Sequence, residues 1–426
     1  MAFLHPTSCE CLLSPLELFS VPPTQISIDQ TRYVEFRPVA TLSANQVIDF
    51  VVPASVDEYV NLANTLLYLK LKVKKNATTD LTAAESAHVI PTRLFLQSLF
   101  GQVTVTMNGK LTSPGNDQYN YKSFIQTLLN YGTDAKKTQL TASLWNDTAD
   151  RKEVIAESKE LELMGRLHVD VAMQEKFILN NVEIKFRFVP SKSAFSLVLA
   201  QAGVVAGLEP IVEFMEMALF VEKVKPASNI LLAHARALAV GTAKYPFRKT
   251  DVKVHTIVAN TKSAQFDNVF QGIVPSRMVI GLVNHDAFNG VYTRDPFYFY
   301  HYKLSSLAVT VDGQMINGRP LTMDFEKNNY VQAYISMYGG LGTLFQNSGN
   351  AISYKEWKTG HTLFCYDLTP DQSADDASHI SLVRNGVVRV DLRFAENLPE
   401  NVNLLIYSEV ESLIEIDERR YVLTDS

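Results

Sequence analysis

Nine histidines, three cysteines and 45 acidic residues are the side chains through which this chain could hold a metal or move a proton, and their spacing decides whether they do. His5, Cys9 and Cys11 would suit a thiophilic ion, but a closed zinc site wants four ligands and the proline-rich segment around them reads as an arm. Asp367, Asp371, Asp375 and Asp376 crowd the stretch DLTPDQSADD, which lacks the glycine and terminal glutamate of an EF-hand loop and reads as a solvated acidic loop. His168, His255 and His361 stand alone in or beside predicted strands, where a hydrogen-bonded structural histidine is the ordinary case. No two histidines lie two residues apart, as a cupin metal site needs, and the G-x-S-x-G, P-loop and H-E-x-x-H patterns are absent. YGGLGTLF (338–345) is glycine-rich but follows a predicted helix, which makes it a helix end and loop rather than a phosphate-binding turn. PFYFYHY (296–302) offers rings that could stack on bases, yet no basic groove accompanies it, and packing is the expected use. These residues predict no enzyme, no metal site and no cofactor.

Charge points the same way. Thirty-nine basic against 45 acidic residues leave a net charge of -6, and no arm or stripe of Lys and Arg is present to neutralise phosphates. The densest basic run, LKLKVKK (69–75), alternates: Leu67, Leu69, Leu71 and Val73 face one way and Lys70, Lys72 and Lys74 the other, as in a half-buried strand. Three cysteines are too few for a disulfide framework and fit a reducing compartment. No stretch reaches the roughly 18 apolar residues of a spanning helix, and the first 31 residues lack the cationic start of a secretory signal. The N-x-[ST] triplets at Asn76 and Asn146 then read as chance matches.

The elements that would position any site are mostly strands. Three tight hairpins are predicted: Asn108-Gly109 after VTVTM, Asp312-Gly313 after SLAVTV, and Asn385-Gly386 between ISLVR and VVRVDLRF. Further strand candidates are 176–189, 213–224, 251–259, 276–283 and 401–410. Helical signals are short: a capping box at Thr82 and Glu85, the stretch 228–239 with Ser228 as N-cap, and the charged 150–162 as an exposed loop or surface helix. With 426 residues and 46% hydrophobic content, the chain is expected to be all-β, with two sandwich domains. The hairpins at Gly109 and Gly313 are each followed by a short helix (122–132 and 330–339), a Gly-led strand (165–172 and 360–368) and an Asn-Val strand (181–188 and 401–408). That order predicts an internal duplication near 200 residues.

The stretches PLELFSVPPTQISI (15–28), LFVEKVKPASNILLAHARAL (219–238), TAKYPFRKTDV (242–252), NVFQGIVPSRMVIGLVNHDAFNG (268–290), DGQMINGRPLTMDF (312–325), LFCYDLTPD (363–371) and IEIDERRYVL (414–423) resemble the major capsid protein family of Polinton/Maverick elements and adintoviruses, in the adenovirus-like lineage. The resemblance is collinear over nearly the whole chain. It implies two tandem eight-stranded antiparallel jelly-roll domains with short helices in the loops and at the junction. It also implies a homotrimer of pseudo-hexagonal outline, neighbouring capsomers, and a single jelly-roll penton protein at the vertices. The chain would then be a virion protein, made in host cytoplasm, with the nucleus as a candidate assembly site. The expected division is an extended arm over 1–30, lying on a neighbouring subunit, a first jelly roll over 31–226, a junction helix over 227–242 and a second jelly roll over 243–426. Without a cationic tail the chain suits a shell filled with double-stranded DNA by a separate motor, with no sequence-specific nucleic-acid contact and no membrane span. The alternative is a jelly-roll carbohydrate- or receptor-binding protein of spike or lectin type.

Overall fold

The computed structural model describes residues 5–43, 46–113, 118–200, 207–347, 349–376 and 378–424; the first four residues of the expected arm lie outside them. Eight strands before residue 227 form two sheets: β1 (Ile28–Phe36), β2 (Ile48–Val52), β3 (Tyr59–Lys74), β4 (Phe100–Met107), β5 (Lys110–Ser113), β6 (Leu161–Arg166), β7 (Ile184–Pro190) and β8 (Ile211–Pro226). One sheet has the order β1-β8-β3-β6 and the other β2-β7-β4-β5. Eight more follow: β9 (Ala243–Ile257), β10 (Ser263–Ile273), β11 (Arg277–Asn284), β12 (Leu304–Val311), β13 (Gln314–Met315), β14 (Leu363–Asp367), β15 (Asn385–Phe394) and β16 (Val402–Ile416). Their sheets run β9-β16-β11-β14 and β10-β15-β12-β13, with short additions at Val422–Thr424 and Leu321–Thr322. The same order of eight antiparallel strands is thus laid down twice, as two jelly rolls.

Period-two burial explains the first sandwich. Leu67, Leu69, Leu71 and Val73 of β3 are buried while the lysines between them pair outward, Lys70 with Glu160 at 2.6 Å and Lys74 with Glu213 at 3.3 Å. Phe50 of β2 and Phe186 and Phe188 of β7 oppose them from the second sheet. In the second sandwich all eight residues of β11 are buried, because both of its faces are covered.

Among the short helices around the sandwiches are α1 (Ala83–Ser86), α2 (Tyr119–Asn130), α3 (Ser228–Leu238) and α4 (Val331–Gly340). At α1 the Thr82–Glu85 capping box is complete. At α3 the N-cap is Ala227, one residue before the expected Ser228, and no side chain caps it.

The turns carry the duplication. Asn108 and Gly109 have φ of 46° and 78°, and Asp312 and Gly313 have 50° and 78°. Both pairs are two-residue loops with the two positive φ values of a type I′ hairpin, joining Met107 to Lys110 and Val311 to Gln314. Each turn also clasps the next strand in the sheet. The Glu183 amide donates to Asn108 Oδ1 at 2.8 Å, and the Val387 amide donates to Asp312 Oδ1 at 2.8 Å, each across 75 residues of chain. The Asn108 and Asp312 amides donate back to the carbonyls of Glu183 and Val387.

Asn385 and Gly386 do not form the predicted third hairpin. Residues 381–384 carry no strand, and Asn385–Phe394 is one strand between β10 and β12. Glycine is needed here for space: a Cβ on Gly386 would lie 2.5 Å from Asp312 Oδ2. This also corrects the alignment of the repeats. The equivalent of Asn181 is Asn385, 72 residues after Gly313 as Asn181 is after Gly109, so β7 matches β15, and the Asn-Val strand at 401–408 matches β8 instead. The expected Gly-led strand at 165–172 is displaced too. The strand is β6, ending at Arg166, and residues 170–172 form a 3-10 turn. Likewise β1 begins at Ile28 and pairs with β8 from Pro226, inside the stretch expected to be arm.

Candidate functional site

Helix α2 explains how the two sandwiches are joined. Of its twelve residues nine are buried, and several of its rings pack against the second half. Phe124 stacks on Phe297 with ring centres 4.2 Å apart and planes 1° from parallel. Tyr121 meets Phe297 and Phe299 edge-on and donates its hydroxyl to the Pro296 carbonyl at 3.1 Å. Pro296, Phe297 and Phe299 of the aromatic run therefore form an internal seam between jelly rolls, while Tyr298 stays exposed.

Polar groups cross the same seam. Lys122 Nζ pairs with Asp170 Oδ1 at 2.5 Å, and Thr250 Oγ1 of β9 donates to the same oxygen at 2.6 Å. Gln126 Nε2 donates to the Tyr407 hydroxyl, which donates to Glu409 Oε1 at 2.8 Å; Arg277 lies 3.5 Å from that carboxylate. His168 Nδ1 is 3.0 Å from Gln126 Oε1, and burial drives the imidazole pKa down to about 3, so it is neutral at physiological pH. Further along, Arg420 donates to Asn180 O and Asn180 Oδ1, both at 2.8 Å, and Asn108 Nδ2 donates to Arg420 O at 2.9 Å. The turn at Asn108 is thus held by the last strands of the other jelly roll.

The remaining candidates are dispersed. Cys9 and Cys11 are exposed, and His5 bonds to Thr7. Asp367 accepts from the amides of Thr369 and Ala374, and Asp371 accepts from the Ser373 hydroxyl, so these carboxylates build a turn. His255 stacks on Phe266. His361 lies 3.5 Å from Arg93 Nη1, and burial followed by that positive charge lowers its pKa to about 4. Cys365 is buried and its thiol pushed up to about 12 by burial. Among the described residues no cluster of three or more His, Cys, Asp or Glu is placed to hold a metal, and no helix is long and apolar enough to cross a membrane. Residues 119–130 read by themselves do not reveal the seam: half of them are polar, and the signal they offer is low charge, with Lys122 the single charged residue.

Two surfaces stay bare. Residues 5–27 are exposed throughout, with Leu18 at 74% and Phe19 at 101%. Helix α3 is largely exposed, with Leu238 buried and Ile230 and Leu231 half-buried.

No family model matches the chain. Uncharacterized protein F54H12.2 of Caenorhabditis elegans is 24% identical over 422 residues, covering 95% of this chain and all of that protein. Among solved structures, PBCV-1 VP54 aligns with a TM-score of 0.63 at 10% identity, over 96% of this chain and 99% of its own. A chain of the Sputnik virophage aligns at 0.62 and 14% identity, over 100% and 94%. The mavirus major capsid protein aligns at 0.52 and 10% identity, over 100% and 95%. End to end, the chain has the double jelly-roll fold of these viral capsid proteins.

Proposed function

We propose that the chain is a major capsid protein: a structural subunit rather than an enzyme, three copies of which close into a pseudo-hexagonal capsomer of an icosahedral shell around double-stranded DNA. The observation that carries the reading is the repeat itself. Two jelly rolls whose turns clasp equivalent strands across the same 75 residues are welded by a buried seam into one unit. Three such units supply six similar lobes, and closed cyclic symmetry is the usual arrangement of soluble oligomers. The division we propose is an arm to residue 27, a first jelly roll to 226, a junction to 242 and a second jelly roll from 243. Its neighbours in a virion would be other capsomers and a single jelly-roll penton protein, and the sequence resemblance favours a Polinton or adintovirus source. Native mass spectrometry should give about 143 kDa, three times 47.7 kDa, with shells or hexagonal capsomers visible by electron microscopy. A protein that stays monomeric at micromolar concentration would refute it.

A glycan- or receptor-binding role has one feature in its favour. A cavity of about 510 Å³ is lined by Tyr298, Tyr300 and Tyr302 beside the Arg294–Glu400 pair, and rings beside a carboxylate suit a sugar. Glycan-array binding by a small oligomer that never forms capsomers would support that reading instead.

A further inference from the structure

We infer that residues 5–27 of one copy dock into an apolar groove beside helix α3 of a second copy, so that arms are exchanged between subunits. The inference rests on the oligomeric reading above and adds the surface that receives the arm.

The groove is a cavity of about 540 Å³ between the C-terminal half of α3, the segment 175–179 and the start of β9. Its apolar wall includes Tyr59, Phe177, Leu179 and Leu238. Tyr59 is held in place by His234, whose Nδ1 is 2.8 Å from the tyrosine hydroxyl and whose ring stacks on it. Helix α3 is a surface helix with little charge: SNILLAHARAL has one charged residue, Arg236; Leu238 is buried and Ile230 and Leu231 half-buried, while Leu232 is 54% exposed beside exposed alanines. An exposed leucine and a row of alanines on a nearly uncharged helix, beside an apolar cavity, mark an interaction surface.

The arm matches it in three respects. It is apolar: Leu12, Leu13, Leu16, Leu18, Phe19 and Val21 are all exposed. Its hydrogen bonds are local, and its tie to the body is Ser27 O, which accepts from the Ala227 amide at the foot of α3. Its charge is complementary. Residues 5–27 contain Glu10 and Glu17 and no Lys or Arg, while the groove carries Lys176 and Lys244 against one carboxylate, Glu175, with a bond from Lys176 Nζ to Lys244 O. An extended segment of over twenty residues spans roughly 70 Å, enough to cross to a neighbour. In the isolated chain arm and groove are bare together, so the single copy leaves both unsatisfied, and a second copy covers both. Extended segments of this kind bind through side chains set in pockets.

The test uses two co-expressed full-length chains, both with Cys9→Ser and Cys11→Ser. One carries Phe19→Cys in the arm; the other carries Gly241→Cys, where a side chain meets open space at the groove. Mild oxidation of the purified assembly should give a reducible linked pair of about 95 kDa, twice 47.7 kDa, which can form only in trans. Reversing Lys176 and Lys244 to Glu should lower its yield several-fold, and adding Glu10→Lys with Glu17→Lys should restore it. Trimers of normal mass without the linked pair would overturn the arm exchange and leave the shell reading standing. A purely monomeric protein would overturn both. If a single chain carrying both cysteines links only to itself, the arm closes in cis and the exchange between copies is refuted.

Discussion

Strands β3 and β11 occupy the same place in the two jelly rolls, yet from residue 65 to 74 β3 alternates buried and partly exposed residues while β11 is buried at all eight positions. The strand order does not explain this, since both sheets are built alike. The difference lies in what covers the outer face: in the second jelly roll Phe299 lies on β11, its ring 2.7 Å from where a Cβ on Gly281 would stand, and α2 packs on Phe297 and Phe299 in turn. Helix α2, which follows the fifth strand of the first jelly roll, packs on the second one. Helix α4, which follows the fifth strand of the second, buries only Ala333, Met337 and Gly340. A duplicated domain thus diverges where its copies touch. Polar alternation survives on the sheet that faces water or a partner, and continuous hydrophobicity marks the one covered within the chain.

Removing the covering helix's central ring breaks that comparison most strongly. Phe124 is 1% exposed, and Phe124→Ala should destabilise the protein by about 3–5 kcal/mol, as large-to-small changes in packed cores do. Although the residue belongs to the first half of the chain, hydrogen exchange should rise first around Phe297 and β11. Protection lost mainly from β3 would contradict the seam.

Acid should open the same seam. His168 is buried with a pKa near 3, whereas the unfolded side chain titrates near 6.5. The folded state therefore refuses a proton that the unfolded state accepts. The associated stability is complete above about pH 6.5 and is lost as pH falls toward 3. At pH 5 the loss should be roughly 2 kcal/mol from this residue, on the basis of about 1.4 kcal/mol per pH unit. His301, lowered to about 4 first by burial and then by Lys358, and His361 act in the same direction. Denaturant midpoints of wild type and His168→Gln at pH 7.5 and 5 would show it: the variant should lose less on acidification.

The turns test the other side of the comparison, what the two halves share. Gly109 and Gly313 both sit at φ 78°, and a Cβ at either position would find nothing within 4 Å, so only backbone conformation opposes a larger residue. Gly109→Val and Gly313→Val should each cost about 1–2 kcal/mol and add within about 0.5 kcal/mol, as separated sites do. Thermal unfolding of the single and double variants measures both, and a neutral pair would deny the equivalence of the turns.

Local signals are the legible part. The alternation in LKLKVKK and the Asn-Gly and Asp-Gly pairs specify strand faces and tight turns from neighbouring residues alone. What escapes such reading is set by distant residues. Gly386 looks like a turn residue, but its lack of a side chain answers to Asp312, 74 positions earlier in the chain. Strand β6 begins inside the charged stretch 150–162, expected to be a loop or surface helix, where Glu160 pairs with Lys70. An Asn-Val dipeptide is a poor anchor for matching the repeats, because two residues recur by chance where equal spacing from the turns does not. The residues of α2, half of them polar, show neither that it is buried nor against which jelly roll.

The smallest predicted effect separates the two turns chemically. Both use a side-chain oxygen to accept from the next strand, but Asn108 also donates through Nδ2, to Arg420 O at 2.9 Å, and so ties the first jelly roll to the end of the second. Asp312 has no such donor. Asn108→Asp keeps the acceptor for Glu183, deletes the donor and brings a negative charge up to a carbonyl oxygen. Asp312→Asn keeps the acceptor for Val387 and disturbs nothing else that the turn uses. The first change should cost about 0.5–1.5 kcal/mol, the usual net worth of one hydrogen bond, and the second less than about 0.5 kcal/mol, as is usual for surface substitutions. Denaturant titration gives the two values. Hydrogen exchange at Val422–Thr424 and β5 should report the first change alone, because only that turn is clasped from the other jelly roll. Equal losses from both substitutions would mean that the clasp by Arg420 contributes nothing, and that the two turns are energetically as well as geometrically alike.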